Sequence, residues 1–341
     1  MFIPIAVLLL FLPQQPGTDQ VFPGENHFAS IRQLTFGGEN AEGYFSFDER
    51  RLIFQSTRDT FHCDQQYILD LSTGAVRLVS TGLGRTTCGY FLPGDSLILY
   101  ASTHLSGPAC PPAPDQSHGY TWRVAPEYDI FVARPDGSQL RRLTKTPGYD
   151  AEATVSPTGD RMVFTSMRDG DLELYSMDLR DSSITRLTNE VGYDGGAFYS
   201  WDGRSIVYRA LHYTDTSAAA TYRRLLREHL VRPSHMELFV MDADGQHRRQ
   251  ITNNGAANFA PFFHPDNRRI IFASNMHDPR GRNFDLYLIN IDGTGLEKIT
   301  TCGEFDGFPM FTRDGKFLIF ASNRNARARG ETNLFIAQWK D

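Results

Sequence analysis

Residues 156–188 read SPTGDRMVFTSMRDGDLELYSMDLRDSSITRLT, and the punctuation of this stretch decides what the chain can build. Pro157 presets φ and Gly159 tolerates positive φ, so SPTGD is a tight turn. RMVFTS behind it is rich in β-branched and aromatic residues, the composition of a strand. After the polar break RDGD comes a second such run, LELYSMDL, and a short TRLT phrase ends the unit. With the apolar segment that ends at Val155, the unit holds four short strands joined by tight connections.

The same unit returns along the chain. Phe45, Phe91, Val155, Tyr199, Phe263 and Phe311 each precede an aromatic residue by nine positions: Phe54, Tyr100, Phe164, Tyr208, Phe272 and Phe320. Between the members of each pair sits a turn: SFDER, LPGDS, SPTGD, SWDGR, HPDNR or TRDGK. Third strands follow as QYILDL, YDIFVA, LELYSM, MELFVM, FDLYLI and TNLFIAQW. Phrases of the RLT type supply the fourth: VRLVS at 76–80, RRLT at 141–144, TRLT at 185–188, RRQIT at 248–252 and EKIT at 297–300. The step between units runs from 44 residues (155 to 199) to 64 (91 to 155). A four-stranded repeat of this period is the blade of a β-propeller.

Six units begin, but the sixth reaches Asp341 without its closing phrase. The missing phrase stands at the other end of the chain, as IRQLT at 31–35. The sequence therefore predicts an all-β, six-bladed propeller of four-stranded blades. Residues 31–341 form its one domain, and an N-terminal strand completes the last blade so that no sheet edge is left open.

The bulk composition agrees with a globular chain: of 341 residues, 40% are hydrophobic and 22% charged. A net charge of −6 without a Lys/Arg run gives no footprint for nucleic acid. The apolar run from Phe2 to Leu12 is too short to span a bilayer and suits the hydrophobic region of a secretory signal. Residues 1–30 are thus expected to be a signal peptide and flexible lead-in, with no lipid-anchoring cysteine near its end. The mature chain is expected in the periplasm or outside the cell, without a transmembrane span. Cys63, Cys88, Cys110 and Cys302 form no C-x-x-C pair; in an oxidising compartment, Cys63–Cys88 and Cys63–Cys110 are the candidate bridges.

The stretches SPTGDRMVFTSMRDGDLELYSMDLRDSSITRLT, HPDNRRIIFASN and TRDGKFLIFASNR resemble the repeat of TolB-type propellers, and the resemblance extends from Ile31 to Trp339. It covers the propeller half alone, since TolB carries a further N-terminal α/β domain that has no counterpart in these residues. The resemblance implies the fold more narrowly than the function. Related propellers occur in the Tol–Pal envelope machinery, as caps of prolyl-oligopeptidase-like enzymes and in oligogalacturonate lyases. G-x-S-x-G, H-E-x-x-H and G-x-x-x-x-G-K-[ST] are all missing from the sequence.

With six copies in one chain, what recurs reads as architecture and what departs as function. The acidic residue opening the third strand (Asp129, Glu173, Glu237, Asp285) recurs, and is expected to pair with backbone or with Arg58 and Arg168. Two units depart by carrying inserts between their second and third strands. The first, residues 104–127, is Pro-rich. The second, residues 211–235, repeats Tyr222, Leu225, Leu226 and Leu230 at helical spacing, with Ser217 or Asp215 as cap and Pro233 as stop. Propeller topology puts both inserts at one mouth of the channel, with seven histidines: His62, His104, His118, His212, His229, His235 and His277.

The position opening each inner strand reads Asn40, Thr86, Asp150, Asp194, Asn258 and Asp306, and Glu42 and Glu152 stand two residues on. This oxygen-rich set suits Ca²⁺ or another divalent cation, or a polar ligand; the competing reading has the carboxylates bonding the adjoining blade. The expected ligand-binding residues are Asn40, Glu42, Asp150, Glu152, Asp194, Asn258, Asp306, His104, His212 and His235. The expected function is a non-enzymatic, monomeric binding or scaffold protein that takes a peptide, protein or glycan of the cell envelope at the insert-bearing mouth. The alternatives are a metal-dependent lyase of the oligogalacturonate type, drawing on His104, His212, His235 and His264, and a propeller cap that works with a separate hydrolase.

Overall fold

The computed structural model describes residues 21–341 apart from 115, 116, 118, 279 and 280. The expected signal segment before residue 21, and His118, lie outside the described residues. Six four-stranded antiparallel sheets follow one another around a ring. Blade three, for example, runs Asp150–Val155, Arg161–Ser166, Glu173–Asp178 and Ile184–Arg186 from the channel outward. In the sixth blade Phe28–Gln33 takes the outer place beside Asn333–Trp339, with Ile31 opposite Ala337. IRQLT thus closes the ring, as its missing counterpart at the C-terminus implies.

The nine-residue ruler marks the core. Its second member lies directly across from an aromatic residue of the third strand in all six blades: Phe54–Tyr67, Tyr100–Phe131, Phe164–Tyr175, Tyr208–Phe239, Phe272–Tyr287 and Phe320–Phe335. Ring centroids are 5.6 to 6.4 Å apart. Aromatic cross-strand pairs of this kind contribute roughly 0.2–1 kcal/mol each beyond alanine pairs. A cationic or imidazole side chain covers the pair in each of the six blades. Arg58, Arg168 and Arg324 lie over the rings, and His104, His212 and His277 stack in the same place.

The RLT phrase recurs because its hydroxyl caps the third strand. Thr144, Thr188, Thr252 and Thr300 accept from the backbone N–H of Ile130, Leu174, Leu238 and Leu286, each fourteen residues earlier. Thr35 does so for Leu334, and Ser80 for Gln66. The basic residue two places before the Thr reaches the acid that opens the third strand: Arg142–Asp129 at 2.6 Å, Arg186–Glu173 at 2.7 Å, Lys298–Asp285 at 2.8 Å. This corrects the expected pairing with Arg58 and Arg168. Arg58 stays over its aromatic pair, and Arg168 turns to Asp150 at 3.2 Å.

The lead-in expectation also changes. Residues 21–30 belong to the framework: Glu25 is buried and bonds the buried Arg324 at 3.0 Å, and His27 stacks on Trp339 at 4.6 Å. A carboxylate sealed against a guanidinium ties this segment down regardless of its Pro and Gly content.

Candidate functional site: the insert-bearing channel mouth

The two inserts meet. Trp122–Arg123 from the first pairs with Leu230–Val231 from the second as a two-stranded ribbon across one mouth of the channel. Cys63–Cys110 ties the first insert to blade one, selecting between the two expected bridges and leaving Cys88 free. In the second insert the helix Thr216–Arg227 is capped by Asp215, whose carboxylate accepts from Ala218 N at 2.7 Å. Tyr222, Leu225 and Leu226 are buried, whereas Leu230 lies beyond the helix in the ribbon. The helix ends at Arg227, ahead of Pro233.

Beneath this cover the inner strands present two rings of side chains. Asn40, Thr86, Asp150, Asp194, Asn258 and Asp306 form the first, and all are at most 1% exposed. Each is bonded by its surroundings, although one oxygen of Asp150 and one of Asp194 have no partner. Asp150 meets Arg168 at 3.2 Å, Asp306 meets Arg324 at 3.2 Å, and Asp194 accepts from His212 Nε2 at 2.9 Å. Asn40 accepts from Ser56 Oγ at 2.9 Å, and Asn258 donates to Met236 O at 2.7 Å. None of these five expected residues lines the cavity at the mouth.

The histidines divide likewise. The imidazole of His104 shares a hydrogen bond with Ser102 Oγ at 2.8 Å and packs on Phe131. His235 is exposed and bonds Gly255 O. His264 sits in the hairpin at the opposite end, against Phe311 and Trp339, because inner-strand turns face away from the inserts. Burial and the nearby Arg269 lower its pKa. Among the described residues, Glu190, Asp194 and His212 are the group whose ligand atoms lie within 4.8 Å of one another. Arg248 pairs with Glu190, while one oxygen of Asp194 has no partner.

The second ring lies two residues further on. Glu42, Cys88, Glu152, Gly196, Ala260 and Phe308 share a left-handed backbone, with φ between 47° and 59°. Each occupies a bulge where the pairing of the first two strands shifts. A bulge re-aims a side chain, and here all six line a cavity of about 420 Å³. Blades one to three give it Glu42, Cys88 and Glu152. Blades four to six give it Gly196, Ala260 and Phe308.

Arg209 governs the polar half. It pairs with Glu152, donates to Tyr193 Oη at 2.7 Å, and lies over Trp122, Tyr193 and Phe259 at 5.5 to 5.6 Å. Glu152 also accepts from Tyr193 at 2.7 Å, Thr165 Oγ1 at 2.7 Å and Gly196 N at 3.0 Å. A Cβ at position 196 would collide with the Arg209 guanidinium, so glycine leaves the room that Arg209 occupies. Glu42 has no such partnership. One oxygen is buried without a hydrogen bond, and the weak donor of the Cys88 thiol is the contact for its carboxylate. Burial, with the charges of Glu152 and Asp64 behind it, pushes Glu42 up to about 7, despite Cys88 and Arg209. The Cys88 thiol is raised by burial and by the same two glutamates, so it stays protonated at neutral pH.

Facing this, Trp122, Phe259, Phe284, Phe305 and Phe308 form a continuous aromatic wall, with successive centroids 5.0, 5.3, 6.2 and 6.3 Å apart. Sequence reasoning found Glu42 and Glu152 but missed the wall and Arg209. A signal for Arg209 existed: the residue after each second-strand aromatic reads Gln55, Ala101, Thr165, Arg209, Ala273 and Ala321. Its three polar departures are the ones that serve this cavity. Gln55 accepts from Thr87 at 2.9 Å and from Cys88 N at 3.2 Å.

The sequence profile of the TolB beta propeller domain matches residues 120–225 and 232–336. A TolB homolog of Chlorobium chlorochromatii is 28% identical over 184 residues, 46% of this chain and 42% of that protein. The chain spans less than half the length of the curated relatives it matches. The solved structure of a putative TolB from Agrobacterium tumefaciens matches with a TM-score of 0.61 at 19% identity, over 91% of this chain and 97% of that one. An oligogalacturonate lyase in complex with manganese matches with a TM-score of 0.53 at 13% identity, over 95% and 96%. At these identities the two structures share the fold.

Proposed function

The chain belongs to the TolB β-propeller family, and from that premise we propose that it is an exported binding protein that takes its partner at the insert-bearing mouth. The observation that carries this reading is the second ring. Six bulges turn six dissimilar residues into one covered cavity, while the ring of like residues beside it is engaged by the framework. A rigid ring with variable side chains and loops at one mouth is the arrangement of a recognition surface. The partner is a protein, peptide or glycan of the cell envelope. The apolar run from Phe2 to Leu12 supports export, and among the described residues no helix is long and apolar enough to cross a membrane.

The test is capture from envelope extract on immobilised protein, with Phe305→Glu as the blocked-cavity control. A defined partner retained by the native protein and lost by a variant of equal thermal stability supports the reading. Equal capture by both overturns it.

A second reading, a metal-dependent lyase acting on acidic polysaccharide, rests on the Glu190, Asp194 and His212 cluster at the same mouth. One imidazole and two carboxylates suit a transition metal. Elemental analysis after manganese loading, with a polygalacturonate assay for unsaturated product, decides it. No retained metal and no absorbance rise reject it.

A further inference from the structure

The cavity has a charge pattern that specifies more than a partner of some kind. Three carboxylates border it, Glu42, Asp64 and Glu152. Glu152 is closed off by Arg209, Tyr193, Thr165 and the Gly196 amide. Asp64 accepts from Thr57 Oγ1 at 2.9 Å and has Arg85 at 4.0 Å. Glu42 is left over, with an unpartnered oxygen. Across the cavity stands an aromatic wall, and Phe308 holds the left-handed backbone of the ring, a conformation that bulky side chains rarely adopt.

An anion entering here would meet surplus negative charge. A wholly apolar guest would strip the remaining water from Glu42 and give it no partner, which is costly for a buried polar group. A cation would satisfy the carboxylate and lie against ring faces that attract positive charge. The volume of about 420 Å³ falls in the range of small-molecule pockets.

We propose that Glu42 receives the ammonium of a ligand whose apolar body lies on the Trp122–Phe308 wall. This rests on the binding reading above and names the chemistry of what is bound. A free arylalkylamine and a lysine side chain beside an aromatic residue in a peptide share that chemistry. The groups facing Glu42 are Cys88, Glu152, Asp64, Arg209 and Tyr44. Glu42 is pushed up to about 7, so ammonium binding drives its proton into solvent.

The experiment is calorimetric titration of the full chain with 4-phenylbutylammonium, 4-phenylbutanol and 4-phenylbutanoate, at pH 6 and pH 8. Glu42→Gln is measured alongside. The ammonium compound is expected to bind at least about tenfold more tightly than the other two, with affinity falling by up to about tenfold per pH unit below 7. Glu42→Gln should remove that advantage while leaving the weak binding of the alcohol unchanged. Acetyl-Phe-Lys-Phe-amide and its N-acetyl-lysine counterpart separate the two sources, the first binding and the second not if the ligand is a peptide.

Equal binding of the alcohol or carboxylate, an undiminished ammonium affinity in Glu42→Gln, or no binding by any of these probes overturns the inference. The proposal that this mouth holds the partner then stands or falls on the extract capture with Phe305→Glu.

Discussion

Two rings of six side chains, two residues apart in each inner strand, have opposite fates. The ring that opens the strands is polar in every blade, and it is buried and bonded throughout: Asp150 to Arg168, Asp194 to His212, Asp306 to Arg324. The ring on the bulges runs from Glu42 to Phe308 with no common chemistry, and all of it faces the cavity. The difference teaches that polarity at a channel mouth is a poor marker of a site when the polarity repeats. A residue the fold needs in each blade is already engaged by a partner. A residue the fold merely exposes is free to vary and therefore to recognise.

The sharpest way to break this comparison is at Arg324. Arg324→Ala leaves Asp306 and Glu25 buried without their cation, and all three side chains are at most 2% exposed. The expected loss is about 3–5 kcal/mol, read by denaturant unfolding at neutral pH. A loss under about 1 kcal/mol would mean that the first ring is not the framework described here.

A change in the second ring should act in the opposite direction. Glu42 ionises near 4.5 in the unfolded chain but at about 7 in the folded one. The folded state therefore keeps a proton that the unfolded state gives up, and Glu42 lowers stability as pH rises from about 4.5 to 7, with the full effect above. Glu42→Gln is expected to raise stability at pH 8 by up to about 3 kcal/mol and to have little effect at pH 4. Parallel unfolding curves at the two pH values check this; a variant less stable at pH 8 would contradict it.

The smallest effect belongs to a single repeat element. Thr188→Val removes the acceptor for Leu174 N at 2.9 Å and leaves a buried amide unsatisfied. The expected cost is about 1–3 kcal/mol, and Thr252→Val and Thr300→Val should match it, since they cap Leu238 and Leu286 in the same way. Unequal costs among the three would show that the blades do not share one framework.

Much of this was legible in the sequence because it repeats. The turn chemistry, the aromatic ruler and the RLT phrases each impose the same local requirement six times, so they could be recognised without knowing what they touch. Glu42 and Glu152 were legible as departures from that pattern. Arg209 stood in a position where the same comparison of blades points to it. The aromatic wall was not legible, because Phe259, Phe284, Phe305 and Phe308 look like ordinary strand or strand-flanking residues in sequence. Their common wall exists only where blades five and six face the ribbon carrying Trp122.

By itself, then, the sequence determined the blade, the number of blades and the strand that closes the ring, since these follow from local propensity and from counting. The tertiary structure alone decided which acids meet a basic partner of their own and which do not. Asp194 and Glu42 are both acids near the same mouth, and composition cannot tell them apart. One meets an imidazole from its own sheet, whereas the other is turned by a bulge into a cavity whose cation, Arg209, is paired with Glu152. The reason is physical: satisfaction of a buried polar group depends on what the neighbouring strand brings within hydrogen-bond distance, and that is fixed by register and ring closure together.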